Sequence, residues 1–205
     1  MLYLIRHCEP EGARGRFIGR SDPGLSVEGR AHASRLAEAL EGVGFSRIVS
    51  SPLARARESA APLFDRLGLA PEIDAALVEC DFGRWDGLSW DEVSERWPDD
   101  SREYLRDPAG FTFPGGEGSG ALRARVMPTV RSLVPDEGAP PVAVFSHCGP
   151  IMTAVAEIMG CPSDGYLRVR IDYGSASVFE PAGARVLVTG INIDPTDREV
   201  LRWAR

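Results

Sequence analysis

Two histidines each follow a short apolar run: His7 after LYLIR at residues 2–6 and His147 after VAVFS at 142–146. Arg6 precedes His7 directly, Arg55 follows the run RIVS at 47–50 within a few residues, and Glu79 closes a weaker apolar stretch at 76–79. These residue types suit transfer of a phosphoryl group. A neutral imidazole is an in-line nucleophile near pH 7. Planar guanidinium groups bind phosphate oxygens bidentately. A carboxyl with a raised pKa can protonate a leaving oxygen, and a second, protonated imidazole can stabilise charge on the transferring group. Taken singly, each has a plainer reading: a structural histidine, a surface arginine, a solvated carboxylate. Their meaning depends on whether the fold brings them together.

The elements needed to do so are legible. LYLIR, RIVS and VAVFS read as buried strands, with a weaker one at 76–79. Ser26 is a helix cap ahead of Ala33, Leu36, Ala37 and Leu40, an amphipathic spacing that Gly42 and Gly44 end. Ser51 and Pro52 predict the start of a second helix, whose apolar face holds Ala56, Ala60, Leu63, Phe64 and Leu67 and which stops at Gly68. A helix near 119–133 contains Pro128, which should kink or restart it. Pro150 opens another, with Ile151, Ala154, Val155 and Ile158 on one side. Residues 166–191 read as two or three strands around Pro181–Gly183. Strands alternating with helices predict an α/β fold, a three-layer sandwich with a mostly parallel central sheet and helices on both faces. In such sheets ligands bind beyond the carboxyl ends of the strands. Both histidines, both arginines and Glu79 fall at that edge. The expected organisation is one domain over 1–205, with an irregular aromatic segment at 82–114.

Composition narrows the partners. The 205-residue chain carries 23 Lys+Arg and 30 Asp+Glu, a net charge of −7. An acidic chain is a poor general ligand for nucleic acid or an anionic membrane, so an anionic substrate needs a local basic pocket. Only five apolar residues precede Arg6, too few for a signal peptide, and no run approaches the about 18 apolar residues of a membrane helix. Cys8, Cys80, Cys148 and Cys161 are widely spaced, as free thiols in a cytoplasmic protein would be.

Four blocks in order carry a resemblance. L-I-R-H-C-E at 4–9 resembles the L-x-R-H-G-E opening of the histidine phosphatase superfamily, also called phosphoglycerate mutase-like. S-P-L-A-R-A-R-E-S-A at 51–60 resembles its S-x-L-x-R-A-x-x-T-A, E-C-D-F-G-R-W-D-G at 79–87 its E-x-x-F-G-x-W-E-G, and F-S-H-C-G-P-I at 145–151 its V-S-H-G-G-x-I. Smaller echoes are G-R-S-D-P-G-L-S at 19–26, P-G-G-E at 114–117 and I-N at 191–192. The resemblance implies a phosphoglycerate mutase-like fold and a metal-independent phosphatase that acts on a small phosphorylated metabolite. It implies His7 as the nucleophile, Glu79 as the acid, and Arg6, Arg55 and His147 as the phosphate holders. It also implies no cofactor and no metal, and places a cap-like insertion at about 84–113, where substrate choice would reside. Trp85 and Trp90 there would stack a flat leaving group or simply pack the cap.

The family's longer mutases resemble R-H-G-E-S-x-W-N; that W-N pair is absent here, which favours hydrolysis. A mutase-type transfer and a non-catalytic phospho-ligand module are the alternatives. G-R-S-D-x-x-L-S in a short chain resembles the α-ribazole phosphatase branch. Departures are Cys8 and Cys148 where the family has glycine, Pro10 where it has Thr or Ser, and Ala13 where it often has Asn. Arg14 and Arg16 are candidates to replace the lost phosphate contact. A His/Cys metal site is a rival for His7–Cys8 and His147–Cys148, but neighbours in a strand point to opposite faces. If the two histidines meet, their strands should be neighbours. Cys8 and Cys148 would then approach each other on the side away from the pocket, near enough for a disulfide.

Overall fold

A computed structural model describes residues 1–161 and 165–197; residues 162–164 and 198–205 of the expected domain lie outside the described residues. The apolar runs form the strands they predict: β1 (Leu2–Arg6), β2 (Arg47–Ser50) and β4 (Val142–Ser146). With β3 (Glu72–Ile73), β5 (Ala176–Ala182) and β6 (Arg185–Ile193) they make one sheet in the order β3-β2-β4-β1-β5-β6. Strands β3, β2, β4 and β1 are parallel; β5 pairs antiparallel with β1, and the edge strand β6 pairs antiparallel with β5.

Alternation along the strands divides the core into two layers. Tyr3 and Ile5 of β1, with Ala143 and Phe145 of β4, face one side. There they pack on Leu36 and Leu40 of α1 (Val27–Leu40) and Ala60 and Leu63 of α2 (Ala54–Leu67). Leu2, Leu4, Val142 and Val144 face the other side. They meet Val126 and Val130 of α5 (Ser119–Leu133), together with Ile151 and Val155 of α6 (Cys148–Ile158). This is the predicted sandwich, and its sheet is buried on both faces because each is covered by a helix pair.

Several boundaries differ from the sequence reading. Ser26 does cap α1, accepting from the Gly29 N–H at 2.9 Å. Helix α2 begins two residues later than Pro52, after Leu53 in extended backbone, and Ser51 is committed elsewhere. It stops at Gly68, whose φ of +63° suits a residue without a Cβ. Pro128 does not break α5, which runs 15 residues without interruption. Helix α6 starts at Cys148, so Pro150 lies in its first turn, where no intrahelical N–H is needed. The strand expected at 76–79 is a single 3₁₀ turn, Ala75–Leu77, followed by irregular chain, and β3 lies earlier. Two strands, not three, form the C-terminal part, with the turn at Gly183–Ala184. The segment expected to be irregular contains two short helices, α3 (Trp90–Arg96) and α4 (Pro98–Arg106). No described helix is long and apolar enough to cross a membrane.

Candidate active site

The site sits where β1 and β4 end side by side. Arg6 pairs with Ser146 in register, and the His7 N–H donates to the Ser146 carbonyl at 3.0 Å. The chain leaves β1 toward the α1/α2 face and β4 toward the α6 face, so their shared end is the switch point of the sheet. The two histidines emerge there with ring centroids 5.0 Å apart.

His7 is held in one tautomer. Its Nδ1 lies 2.7 Å from the Cys8 carbonyl, which can only accept, so Nδ1 carries the proton and Nε2 keeps a lone pair. Burial, then the charges of Arg6 and Arg55, drive its pKa well below the ordinary 6.5. The ring is therefore neutral and nucleophilic at physiological pH. His147 is fully buried, with Nε2 2.8 Å from Ser51 Oγ and Nδ1 unpartnered. Burial, His7 and the same two arginines also lower its pKa well below 6.5. The expected protonated imidazole is thus neutral in the protein alone, and it serves as an N–H donor. Ser51 can give its hydroxyl proton to Nε2 and leave the N–H on Nδ1 facing inward.

The arginines are tethered by their ends. Arg55 is fully buried on the first turn of α2 and donates to the carbonyls of Ser21 and Gly19 at 2.8 Å each. Arg6 donates to the Ile171 carbonyl at 2.6 Å and lies 3.9 Å from the centre of the Tyr173 ring. In both, the buried Nε has no partner. Among the described residues, five buried side-chain polar atoms lack a hydrogen bond, and three of them are Arg6 Nε, Arg55 Nε and His147 Nδ1. Buried N–H donors are ordinarily satisfied, so these three atoms, on residues that flank the strand ends, stand out.

Glu79 is buried, and burial raises its pKa against the opposing pull of the Cys80 N–H, Arg55 and Arg6. Its Oε1 accepts from Cys80 N–H at 2.8 Å and Gly149 N–H at 3.0 Å. A Cβ at Gly149 would lie 2.5 Å from that same oxygen, so a larger residue there would displace the carboxyl.

Arg6, His7 and Glu79 line a small pocket of about 130 Å³. Arg55 and His147 are fully buried and do not line it. The outer wall is Pro10, Arg16, Phe17, Ile18, Phe82, Cys148 and Tyr173. Of the two candidate arginines, Arg16 reaches the rim, where it also donates to Glu92 and the Gly87 carbonyl at 2.8 Å. Arg14 does not line this pocket and pairs with Glu9 in solvent. Ala13 is buried off the pocket. Trp85 and Trp90 pack within the aromatic segment, and Phe17 and Phe82 present its edge to the pocket instead. Ser51, Phe17 and Tyr173 escaped the sequence reading. Ser51 lay inside a recognised block, but its serine-proline pair reads as a helix cap. Tyr173 lies in a loop with no periodicity or motif.

The cysteine expectation is overturned. Cys8 is buried in the layer shared with α1 and α2, whereas Cys148 belongs to the opposite layer and lines the pocket. The sheet separates them. The backbone N–H of Cys8 donates to Ser59 Oγ at 2.8 Å, and all four cysteines are free. Among the described residues no group of three His, Cys, Asp or Glu side chains is arranged to hold a metal.

Comparison with known proteins agrees with this geometry. The chain is 30% identical over 193 residues to phosphoserine phosphatase 1 of Hydrogenobacter thermophilus, covering 94% of this chain and 92% of that protein. It is 35% identical over 210 residues to glucosyl-3-phosphoglycerate phosphatase of Mycolicibacterium vanbaalenii, covering 98% and 91%. The chain spans about half the length of some other curated relatives that it matches. The structure of α-ribazole phosphatase from Shigella flexneri superposes with a TM-score of 0.84, covering 94% of this chain and 96% of that one; at 24% identity this likeness is one of fold. Residues 2–194 match the description of the histidine phosphatase superfamily (branch 1), and the chain belongs to that family.

Proposed function

We propose that this histidine phosphatase hydrolyses small phosphate monoesters through a phosphoryl group carried on His7. The observation that carries the reading is the set of three unpartnered buried N–H groups, on Arg6, Arg55 and His147, around a neutral imidazole with a free Nε2 lone pair. These donors, with the two guanidinium charges, suit the equatorial oxygens of a phosphoryl group. In the first step the Nε2 lone pair forms a bond to phosphorus while the bond to the ester oxygen breaks. Glu79, which burial keeps protonated above its ordinary range, gives its proton to that oxygen, and the alcohol departs. In the second step Glu79, now a carboxylate, takes a proton from water as the water oxygen attacks phosphorus. The phosphorus–nitrogen bond breaks, inorganic phosphate leaves, and both residues return to their starting forms.

The segment 84–113 acts as the cap of one domain, and Phe17 and Phe82, which pack against its Trp85 and Phe113 and line the pocket, face the leaving group. Four free thiols support a cytoplasmic setting. Relatives are named for phosphoserine and for glucosyl-3-phosphoglycerate, so the proposed substrate is a small phosphorylated metabolite of that size. A panel containing both, with p-nitrophenyl phosphate, tests this. Turnover in the presence of EDTA and an acid-labile phosphoenzyme are expected. Loss of activity with chelator, restored by a divalent metal, would defeat the reading.

A further inference from the structure

We propose that Arg125 and Glu117 form a clamp that sets the position of the Glu79 carboxyl, making them positioning residues for proton transfer. The inference rests on the acid role given to Glu79 above.

Glu79 needs such a device because it lies in no strand. A ladder would fix its backbone, but the chain from 78 to 80 is irregular. Instead one guanidinium, reaching across from α5, collects three carbonyls of this segment, while Ser146 Oγ donates to the Leu77 carbonyl between them at 2.8 Å. Arg125 Nη1 donates to Ala76 at 2.7 Å and to Val78 at 2.8 Å, and Nη2 donates to Glu79 at 2.9 Å. The remaining two N–H groups go to Glu117: Nη2 to Oε1 at 2.6 Å and Nε to Oε2 at 3.1 Å. A guanidinium has five N–H donors in a fixed fork, and here all five are engaged. Glu117 in turn holds the chain on the far side of Glu79. Its Oε1 accepts from the Asp81 N–H at 2.9 Å, and its own N–H donates to the Asp81 carbonyl at 2.9 Å. The backbone is thereby gripped at 76, 78, 79 and 81, on both sides of the acid.

The pair is largely screened from solvent, with side-chain exposures of 21% and 13%. Neither residue lines the pocket, so neither touches substrate. What the clamp controls is where the Glu79 carboxyl meets the Gly149 N–H on one side and the leaving oxygen on the other. Lysine cannot replace arginine here: it keeps the charge but has three donors, no planar fork and a rotatable head.

The test compares wild type with Arg125→Lys, Glu117→Gln and Glu79→Gln, using kcat/KM, which reports steps up to phosphoenzyme formation. Two substrates are needed: β-glycerophosphate, whose alkoxide must be protonated, and p-nitrophenyl phosphate, whose phenolate leaves unaided. Displacement of a reacting group by about 1 Å costs on the order of 10²-fold. Arg125→Lys should therefore lower kcat/KM for β-glycerophosphate on that order and leave p-nitrophenyl phosphate nearly unchanged, reproducing the selectivity of Glu79→Gln. Glu117→Gln should give the same pattern more weakly, and it serves if the lysine variant folds poorly. Equal losses on both substrates, or none, in Arg125→Lys and Glu117→Gln would overturn the clamp while the acid role stands. If Glu79→Gln itself shows no selectivity, the acid role fails and the clamp with it.

Discussion

Burial first, and then the charges of Arg6 and Arg55, disfavour a proton on His7, which suits it to the proposed role of nucleophile. The lowered pKa keeps a lone pair available, and the Cys8 carbonyl turns it inward. His7→Ala should therefore abolish turnover and the acid-labile phosphoenzyme together; a variant that retains wild-type rate would show that the nucleophile lies elsewhere. In the proposed mechanism His147 contributes a donor rather than a nucleophile, so His147→Ala should slow the reaction by on the order of 10²–10³-fold, as removal of an oxyanion-hole donor does. Steady-state rates with p-nitrophenyl phosphate measure this directly. Cys8 and Cys148 lie in opposite core layers. Diamide should consequently produce no dithiothreitol-reversible bond between them, and peptide mapping under non-reducing conditions would detect one.

At the scale of elements, the aromatic segment at 82–114 illustrates both what could be read and what could not. Trp85 is fully buried and touches Phe17, Trp90, Tyr104, Phe111 and Phe113, with ring centroids between 5.2 and 6.2 Å. Trp85→Ala should cost about 3–5 kcal/mol in denaturant unfolding. Trp85→Phe should cost much less, because the indole N–H has no partner and its removal relieves a buried donor. Aromatic content pointed to this segment, but its two helices were missed because each is short and lacks a long periodic stripe. The apolar runs LYLIR, RIVS and VAVFS announced β1, β2 and β4 without ambiguity, since a strand buried on both faces needs no alternation. The stretch at 76–79 is a weaker apolar run that reads as a strand but is not one. Its carbonyls are satisfied by a side chain 46 residues away from Glu79 in sequence, a partner that no local pattern reveals. Tyr173 was invisible for the same reason: its place over Arg6 depends on a loop folded back across the end of β1.

For the whole molecule, three histidines and a buried carboxyl set the response of stability to pH. The pKa values of His7, His147 and, less buried, His32 are lowered from 6.5 in the folded state. Below that pH the unfolded chain binds protons that the folded chain refuses, so ν_U exceeds ν_N and stability falls as pH falls. Glu79 acts in the opposite sense. Its raised folded pKa means that the folded chain holds a proton from about 4.5 upward that the unfolded chain has lost. In the window from 6.5 down toward 4.5 the three imidazoles and the one carboxyl therefore oppose each other, and the imidazoles are the more numerous. Each net proton is worth about 1.4 kcal/mol per pH unit. Below this window the carboxylates paired with arginines, such as Glu117, Glu157 and Asp172, add to the loss because their pKa values are lowered. Urea unfolding at pH 6.5 and 5.5 should thus show a net loss of stability as pH falls, on the order of 1 kcal/mol. His147→Gln should make that loss smaller, since it removes one of the imidazoles that refuse a proton in the folded protein. A loss that His147→Gln leaves unchanged would mean that His147 takes up its proton in the folded protein, and that burial does not hold this imidazole neutral.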